Sequence, residues 1–273
     1  MPTPRTGPYA LMAFDIDGTL LTREGTISPR TRAAIDAARA SGLVMMLASG
    51  RPEAGLRHLA ERLELDTDGL ILAPCNGSRV LRADTGEVLG EVTLGKDVAD
   101  EVYRTVSDLP VALMIDDGPV LYANDPEGVN VPGEAKANGM ELRIVPDLAE
   151  LDLDPLKILM STSAEAMVEV EPVVRQRLDG LGELARSAPI YLELTAKGSH
   201  KGRALESACA ALGVPLSASI AFGDNENDLT MLAAAGHGVA MGNATPNALA
   251  AADEVTASHQ DDGIALVLER VLA

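Results

Sequence analysis

The chain contains no tryptophan, only two phenylalanines and four tyrosines among 273 residues. Its core must therefore be aliphatic, built from Leu, Val, Ile, Ala and Met. Cysteine is almost as scarce. Cys75 and Cys209 stand far apart and match no metal-binding spacing, so they read as two reduced thiols of a cytoplasmic protein. Basic residues are outnumbered, 22 against 41 acidic ones, for a net charge of −19. No run of Lys and Arg overrides that charge, which disfavours nucleic-acid polymers and anionic membranes as partners; a small phosphorylated fragment stays open. No stretch approaches the roughly 18 apolar residues of a spanning helix. The first apolar run, 10–14, is too short for a signal sequence. The four histidines form no HExxH pair, and there is no GxSxG elbow of a serine hydrolase. Residues 90–97 (GEVTLGKD) imitate a phosphate-binding loop but end in Asp97 where Ser or Thr must stand, with no strand-to-helix context evident. Residues 236–242 have the wrong glycine spacing for a dinucleotide site.

What is present is an ordinary globular balance, 47% hydrophobic and 23% charged, long enough for one large domain or two modest ones. Residues 9–14, 43–48 and 70–73 are apolar runs that read as buried strands. Between them, Ser28-Pro29 opens a helix that Gly42 ends, and Pro52 opens another with Leu56, Leu59 and Leu63 on one face. Alternating strands and helices predict a parallel sheet covered on both faces. The texture changes over 82–190. Short alternating runs at 87–94, 111–115, 120–122 and 157–160 surround helical stretches at 98–106 and 164–178, and 124–139, rich in Gly, Pro and Asn, reads as an exposed loop. The first pattern then resumes: a helix over 201–212, a strand at 219–222, a helix over 225–235, a strand at 239–241, and helices from Pro246 and beyond Asp261. The expected fold class is α/β: a doubly wound parallel-sheet core, 1–82 and 192–273, interrupted by an α/β insert over 83–191.

The chemistry lies where strands end. Asp15-Ile16-Asp17-Gly18-Thr19 follows the first strand, and residues i and i+2 of an extended segment point to one side. Two neighbouring carboxylates repel unless a cation or proton intervenes, and magnesium favours one or two carboxylates with phosphate oxygens. A solvated acidic turn would read the same way in isolation. A second acidic cluster, Gly223-Asp224-Asn225-Glu226-Asn227-Asp228, also follows a strand; if the strands are parallel neighbours, Asp224 faces Asp15. An acidic helix cap explains it too, and capping and metal binding can coexist. Ser49-Gly50-Arg51 after the second strand offers a hydroxyl and helix-terminal amides to a phosphate, or an ordinary turn. Lys201 at a helix start is a point charge for a phosphate oxygen, or a surface lysine. Asn76-Gly77 after the third strand is a substrate contact or simply a turn.

These four segments, in this order, resemble the haloacid dehalogenase superfamily. Asp15-x-Asp17-Gly-Thr looks like its first motif, Ser49 its second, Lys201 its third and Gly223-Asp224-x-x-x-Asp228 its fourth. The run from Gly223 to Ala244, with Asp253 and Asp262-Gly263 beyond, is similar to the Cof-like subfamily, as are the size and place of the insert. Ser49 stands where Thr is commoner, keeping the hydroxyl, and Cys75 precedes Asn76 where a bulkier residue is usual. The resemblance implies a phosphatase with a Rossmannoid core and a cap that selects a small phosphate ester. It implies Asp15 as nucleophile, Asp17 as acid and base, and magnesium (Mg2+) on Asp15, the main-chain carbonyl of Asp17 and Asp224. Ile16, Ser49, Gly50, Lys201 and Asn227 would hold the phosphoryl group, supported by Asp228, Arg51 and Asn76. A sugar-phosphate mutase sharing the aspartyl phosphate, or a non-catalytic phosphate-binding or metal-binding module, are the alternatives; a signalling domain would need neither Asp17 nor a large insert. Substrate identity and oligomeric state are not legible.

Overall fold

The structure, a computed structural model, describes residues 8–273. Residues 1–7, where the expected core segment 1–82 and the N-terminus read as lacking a signal sequence both begin, lie outside the described residues. In chain order the elements are β1 (Leu11–Phe14), α1 (Pro29–Ala40), β2 (Val44–Ala48), α2 (Glu53–Arg62), β3 (Ile71–Ala73), β4 (Arg79–Arg82), β5 (Val88–Glu91), α3 (Lys96–Val106), β6 (Ala112–Asp117), β7 (Val120–Ala123), α4 (Val131–Ala137) and β8 (Glu141–Ile144). There follow β9 (Lys157–Ser161), α5 (Ala164–Arg177), β10 (Glu183–Ala188), β11 (Tyr191–Thr195), α6 (Lys201–Leu212), β12 (Ser219–Gly223), α7 (Leu229–Ala234), β13 (His237–Ala240), α8 (Pro246–Ala251), β14 (Glu254–Val255) and α9 (Gly263–Leu272). No helix among the described residues is long and apolar enough to cross a membrane.

One compact unit comprises residues up to 50 together with Ala60–Glu91 and His200–Ala273. Its eight-stranded sheet runs β14-β13-β12-β1-β2-β3-β4-β5, parallel from β14 to β3 and antiparallel at β4 and β5. The central strands are continuously apolar because both faces are covered. Leu11, Ala13, Met46 and Ala48 pack with Ala204, Leu205, Ala208 and Cys209 of α6 and Met231 of α7; the alternate residues Met12 and Phe14 are equally buried. The helix starts follow the sequence signals. Ser28 accepts from the Thr31 N–H at 3.1 Å, and Pro29 begins α1. Gly213, in the left-handed region, closes α6. Residues 225–235 depart from the single helix expected: a 3-10 turn over Glu226–Asp228 precedes α7, because Asp228 folds back to cap its own turn.

The other unit comprises Val92–Ser199 with Arg51–Leu59. Its six-stranded sheet runs β10-β11-β9-β6-β7-β8, antiparallel except between β7 and β8. On one face Ile158, Met160, Leu192 and Leu194 pack with Val102 and Val106 of α3 and Met167 and Val174 of α5.

Three expectations change. The boundary at 83–191 moves, because β5 pairs with β4 at the edge of the eight-stranded sheet and β11 runs on to Thr195 within the six-stranded one. The loop expected over 124–139 contains α4. Pro132 lies in its first turn, where no amide hydrogen is needed, and Val131 and Ala135 bury against Ala112, Met114, Leu121 and Ala123. Residues 90–97 do lie between a strand and a helix, β5 and α3. The carboxylate of Asp154 caps that helix start instead, accepting from the Gly95 N–H at 2.7 Å and Thr93 Oγ1 at 2.8 Å.

Candidate active site

Two short, fully buried strands build the site. β1 and β12 run parallel, Leu11 beside Ser219 through Phe14 beside Phe222. The chain's only two phenylalanines meet here, rings stacked 5.2 Å apart at 15°. The Asp15 N–H donates to the Phe222 carbonyl at 3.0 Å, so Asp15 leaves the sheet beside Gly223. The strand order also reverses at β1, with β2 and β3 on one side and β12 and β13 on the other. At such a switch point the connections diverge and leave a crevice at the carboxyl ends.

Lys201, first residue of α6, is completely buried. Its Nζ lies 2.5 Å from Asp15 Oδ1 and 2.6 Å from Asp228 Oδ1. A buried ammonium survives only if paired. Burial opposes its charge, but Asp15 and then Asp228 outweigh burial and hold its pKa above the ordinary lysine value. Asp15 is pushed up to about 7, by burial first and also by Asp228 and Asp224, against the pull of Lys201. Asp224 is raised too, chiefly by burial, while a hydrogen bond from Thr19 opposes the rise.

Each carboxylate is held. Asp228 Oδ2 accepts the N–H groups of Asp224 and Asn225, both at 2.9 Å. A side chain at residue 223 would prevent this, since a Cβ there would lie 2.6 Å from Asp228 Cβ. Asp224 Oδ1 accepts from Thr19 Oγ1 at 2.9 Å. Gly18, with φ +91°, passes so close that a Cβ would sit 2.4 Å from Asp224 Oδ2; only glycine serves there.

Asp15, Asp224 and Asp228 each place an oxygen within 4.8 Å of the others. The carboxylate of Asp17, expected to project to the same side as that of Asp15, is exposed and outside that group. The expectation assumed extended backbone. The strand ends at Phe14 instead, and the amides of Leu20 and Leu21 donate to the Ile16 carbonyl at 3.1 and 3.0 Å, closing a turn. Carboxylate oxygens have two acceptor sites each, so the donors present leave room for a cation.

Ser49 is buried at the end of β2, its N–H donating to the Ala73 carbonyl at 3.0 Å. Its carbonyl accepts the Asn76 N–H at 2.8 Å, and Asn227 Nδ2 donates to Asn76 Oδ1 at 3.0 Å. Ser49, Asn76 and Asn227 thus form a linked chain, with Gly50 against the Asn76 amide. Ile16 is buried. Arg51 groups with the other unit. Sequence reasoning missed Thr19 and Asn243, which bind Asp224. The threonine was visible beside the first acidic pair, but a hydroxyl's reach across 205 residues has no local signal.

Comparison with known proteins agrees with this geometry. The family model of haloacid dehalogenase-like hydrolases matches residues 12–268. YxeH of Bacillus subtilis is 31% identical over 269 residues, 97% of this chain and 99% of that protein. An HMP-PP phosphatase of Cronobacter sakazakii is 30% identical over 243 residues, 88% and 86% of the two chains. The crystal structure of a haloacid dehalogenase-like hydrolase from Bacteroides thetaiotaomicron superposes with a TM-score of 0.88 at 32% identity, covering 96% of this chain and 99% of that one. Switch-point carboxylates, a buried lysine and a family match over nearly the whole length lead to one conclusion: the chain belongs to the haloacid dehalogenase-like hydrolases.

Proposed function

We propose that this hydrolase, a phosphatase, cleaves small phosphate monoesters with the help of magnesium and through a phosphoryl group carried transiently on Asp15. The observation that carries the reading is the buried Lys201 bridging Asp15 and Asp228, with Asp224 alongside. Such an arrangement is costly unless it binds charged groups.

Lys201, the Ser49 hydroxyl and the main-chain N–H groups of Ile16 and Gly50 bind the phosphoryl oxygens. Asn227, oriented by Asn76, lies beside them, and Arg51 supports the same segment. An Asp15 oxygen bonds to phosphorus in line, the bond to the ester oxygen breaks, and Asp17 gives the leaving oxygen its proton. Water then bonds to phosphorus, Asp17 takes its proton, and the bond to Asp15 breaks to release phosphate. Exposure of Asp17 suits a group that must exchange protons with leaving group and water. Asp228 positions Lys201.

The site offers a hard divalent ion oxygen donors alone, with no histidine or cysteine in the acidic group. Asp15, Asp224 and the main-chain carbonyl of Asp17 would hold it. Bound there, magnesium would offset repulsion between carboxylates and phosphate and polarise the phosphoryl group. The insert, in this proposal, chooses which ester is accepted.

A panel of sugar phosphates, nucleotides, phosphorylated cofactors and HMP-PP, scored by phosphate release with magnesium, tests the reading. Release should stop on chelation and return with added magnesium. An isomerised ester without free phosphate would make the protein a mutase, and undiminished release after chelation would overturn the metal assignment.

A further inference from the structure

We infer that Asn243, itself held by His259, is a positioning residue for the Asp224 carboxylate, fixing the orientation in which it receives the cation. The inference rests on the reading of Asp224 as a cation ligand.

Asn243 follows β13. Its Nδ2 donates to the Gly18 carbonyl at 2.9 Å and to Asp224 Oδ2 at 3.3 Å. Its Oδ1 meets the His259 N–H at 3.0 Å and the His259 ring Nδ1 at 2.8 Å. An amide oxygen only accepts and an amide nitrogen only donates. Two acceptors on one side and a donating N–H on the other therefore leave one orientation, and that orientation requires the His259 ring to carry its proton on Nδ1. A flipped amide would set its oxygen against both the Gly18 carbonyl and a carboxylate.

The grip on Asp224 has two sides. Thr19, from the loop after β1, holds Oδ1 at 2.9 Å; Asn243, from the loop after β13, holds Oδ2. The same loop also donates the Thr245 N–H to the Asp224 main-chain carbonyl at 2.9 Å. Asn243 thus links Gly18 of the first acidic segment to Asp224 of the second, the two strand ends a shared cation must join. Partners behind a metal's ligands orient them and typically set about 10–100-fold in affinity. Simple bracing of the loop is already supplied a few residues on. Thr245 Oγ1 and Asn247 Nδ2 donate to the Glu226 carboxylate at 3.1 Å, which makes Asn247 the control.

Magnesium affinity of the full chain, measured by titration calorimetry without substrate, tests the inference. Asn243→Ala should weaken it by about tenfold, with KM for p-nitrophenyl phosphate unchanged at saturating magnesium. His259→Ala should weaken it less, and should add nothing in the Asn243→Ala background, because it acts through the amide. Asn247→Ala should leave affinity within about twofold of the unsubstituted protein. An unchanged affinity in Asn243→Ala, an equal loss in Asn247→Ala, or additive effects of the Asn243 and His259 substitutions would each overturn it. Should Asn243→Ala fail to fold by circular dichroism, His259→Ala decides alone, since it leaves the main-chain N–H bond in place; unchanged affinity there overturns the inference. If the unsubstituted protein takes up no magnesium, the cation reading itself fails and the inference with it, a result distinct from loss confined to the variants.

Discussion

As the proposed nucleophile, Asp15 combines requirements that conflict in isolation: it must be ionised to attack, yet burial and two neighbouring carboxylates favour its proton. Lys201 offsets part of that cost. Asp15→Asn should reduce turnover more than about a hundredfold, roughly 3 kcal/mol of barrier, with an unchanged far-ultraviolet spectrum. The amide has similar volume but is a poor nucleophile; a folded variant retaining more activity than that would count against Asp15. The raised pKa also has a sign. An acid that holds its proton more tightly folded than unfolded costs stability as pH climbs from its ordinary value of 3.8 towards about 7. A cation on Asp15 must displace that proton, so magnesium affinity should rise with pH, by roughly tenfold between pH 6 and pH 8. Calorimetry at the two pH values checks this, and a flat affinity would disconnect Asp15 from the cation.

Among the elements, β1 and β12 determine where the acids emerge. Phe14 and Phe222, side by side in register and stacked, lie one residue before Asp15 and Gly223. Phe222→Ala removes a completely buried ring and should cost about 3–5 kcal/mol, read from urea denaturation. A loss under about 1 kcal/mol would mean the pair can be repacked. Strand and helix identity were legible here because β1 and β2 are uninterrupted apolar runs, β12 is apolar after Ser219, and α1 and α6 carry their end signals. Where the signal was mixed, reading failed. Pro132 and Gly133 suggested a loop, but the burial of Val131 and Ala135 outweighs weak local propensity.

At the scale of the molecule, the four motifs lie outside the insert they flank, which suggests a division of labour. A chain lacking residues 92–199 should still cleave p-nitrophenyl phosphate slowly if it folds, while losing most of its discrimination among natural esters in kcat/KM. A folded core retaining full selectivity would refute that division. The unit of Val92–Ser199 and Arg51–Leu59 has its own sheet and apolar cluster, so its sequence answers to different packing constraints from those on the four motifs.

Local chemistry by itself determined much of this. Apolar runs, helix caps and four short motifs are decided by residues near one another in the chain, and they led to an α/β fold, to Asp15, Asp224, Asp228 and Lys201, and to the resemblance that the family match bears out. Tertiary structure alone decided what depends on distant segments meeting. It allotted β5 to the eight-stranded sheet, through pairing edges no composition reveals. It grouped Asp228 rather than the Asp17 carboxylate with Asp15 and Asp224, because the chain turns immediately after β1. It also brought Thr19 and Asn243 to opposite oxygens of one aspartate. A hydrogen bond depends on ångström-scale position and direction, and for residues some 200 apart in the chain only the fold supplies both.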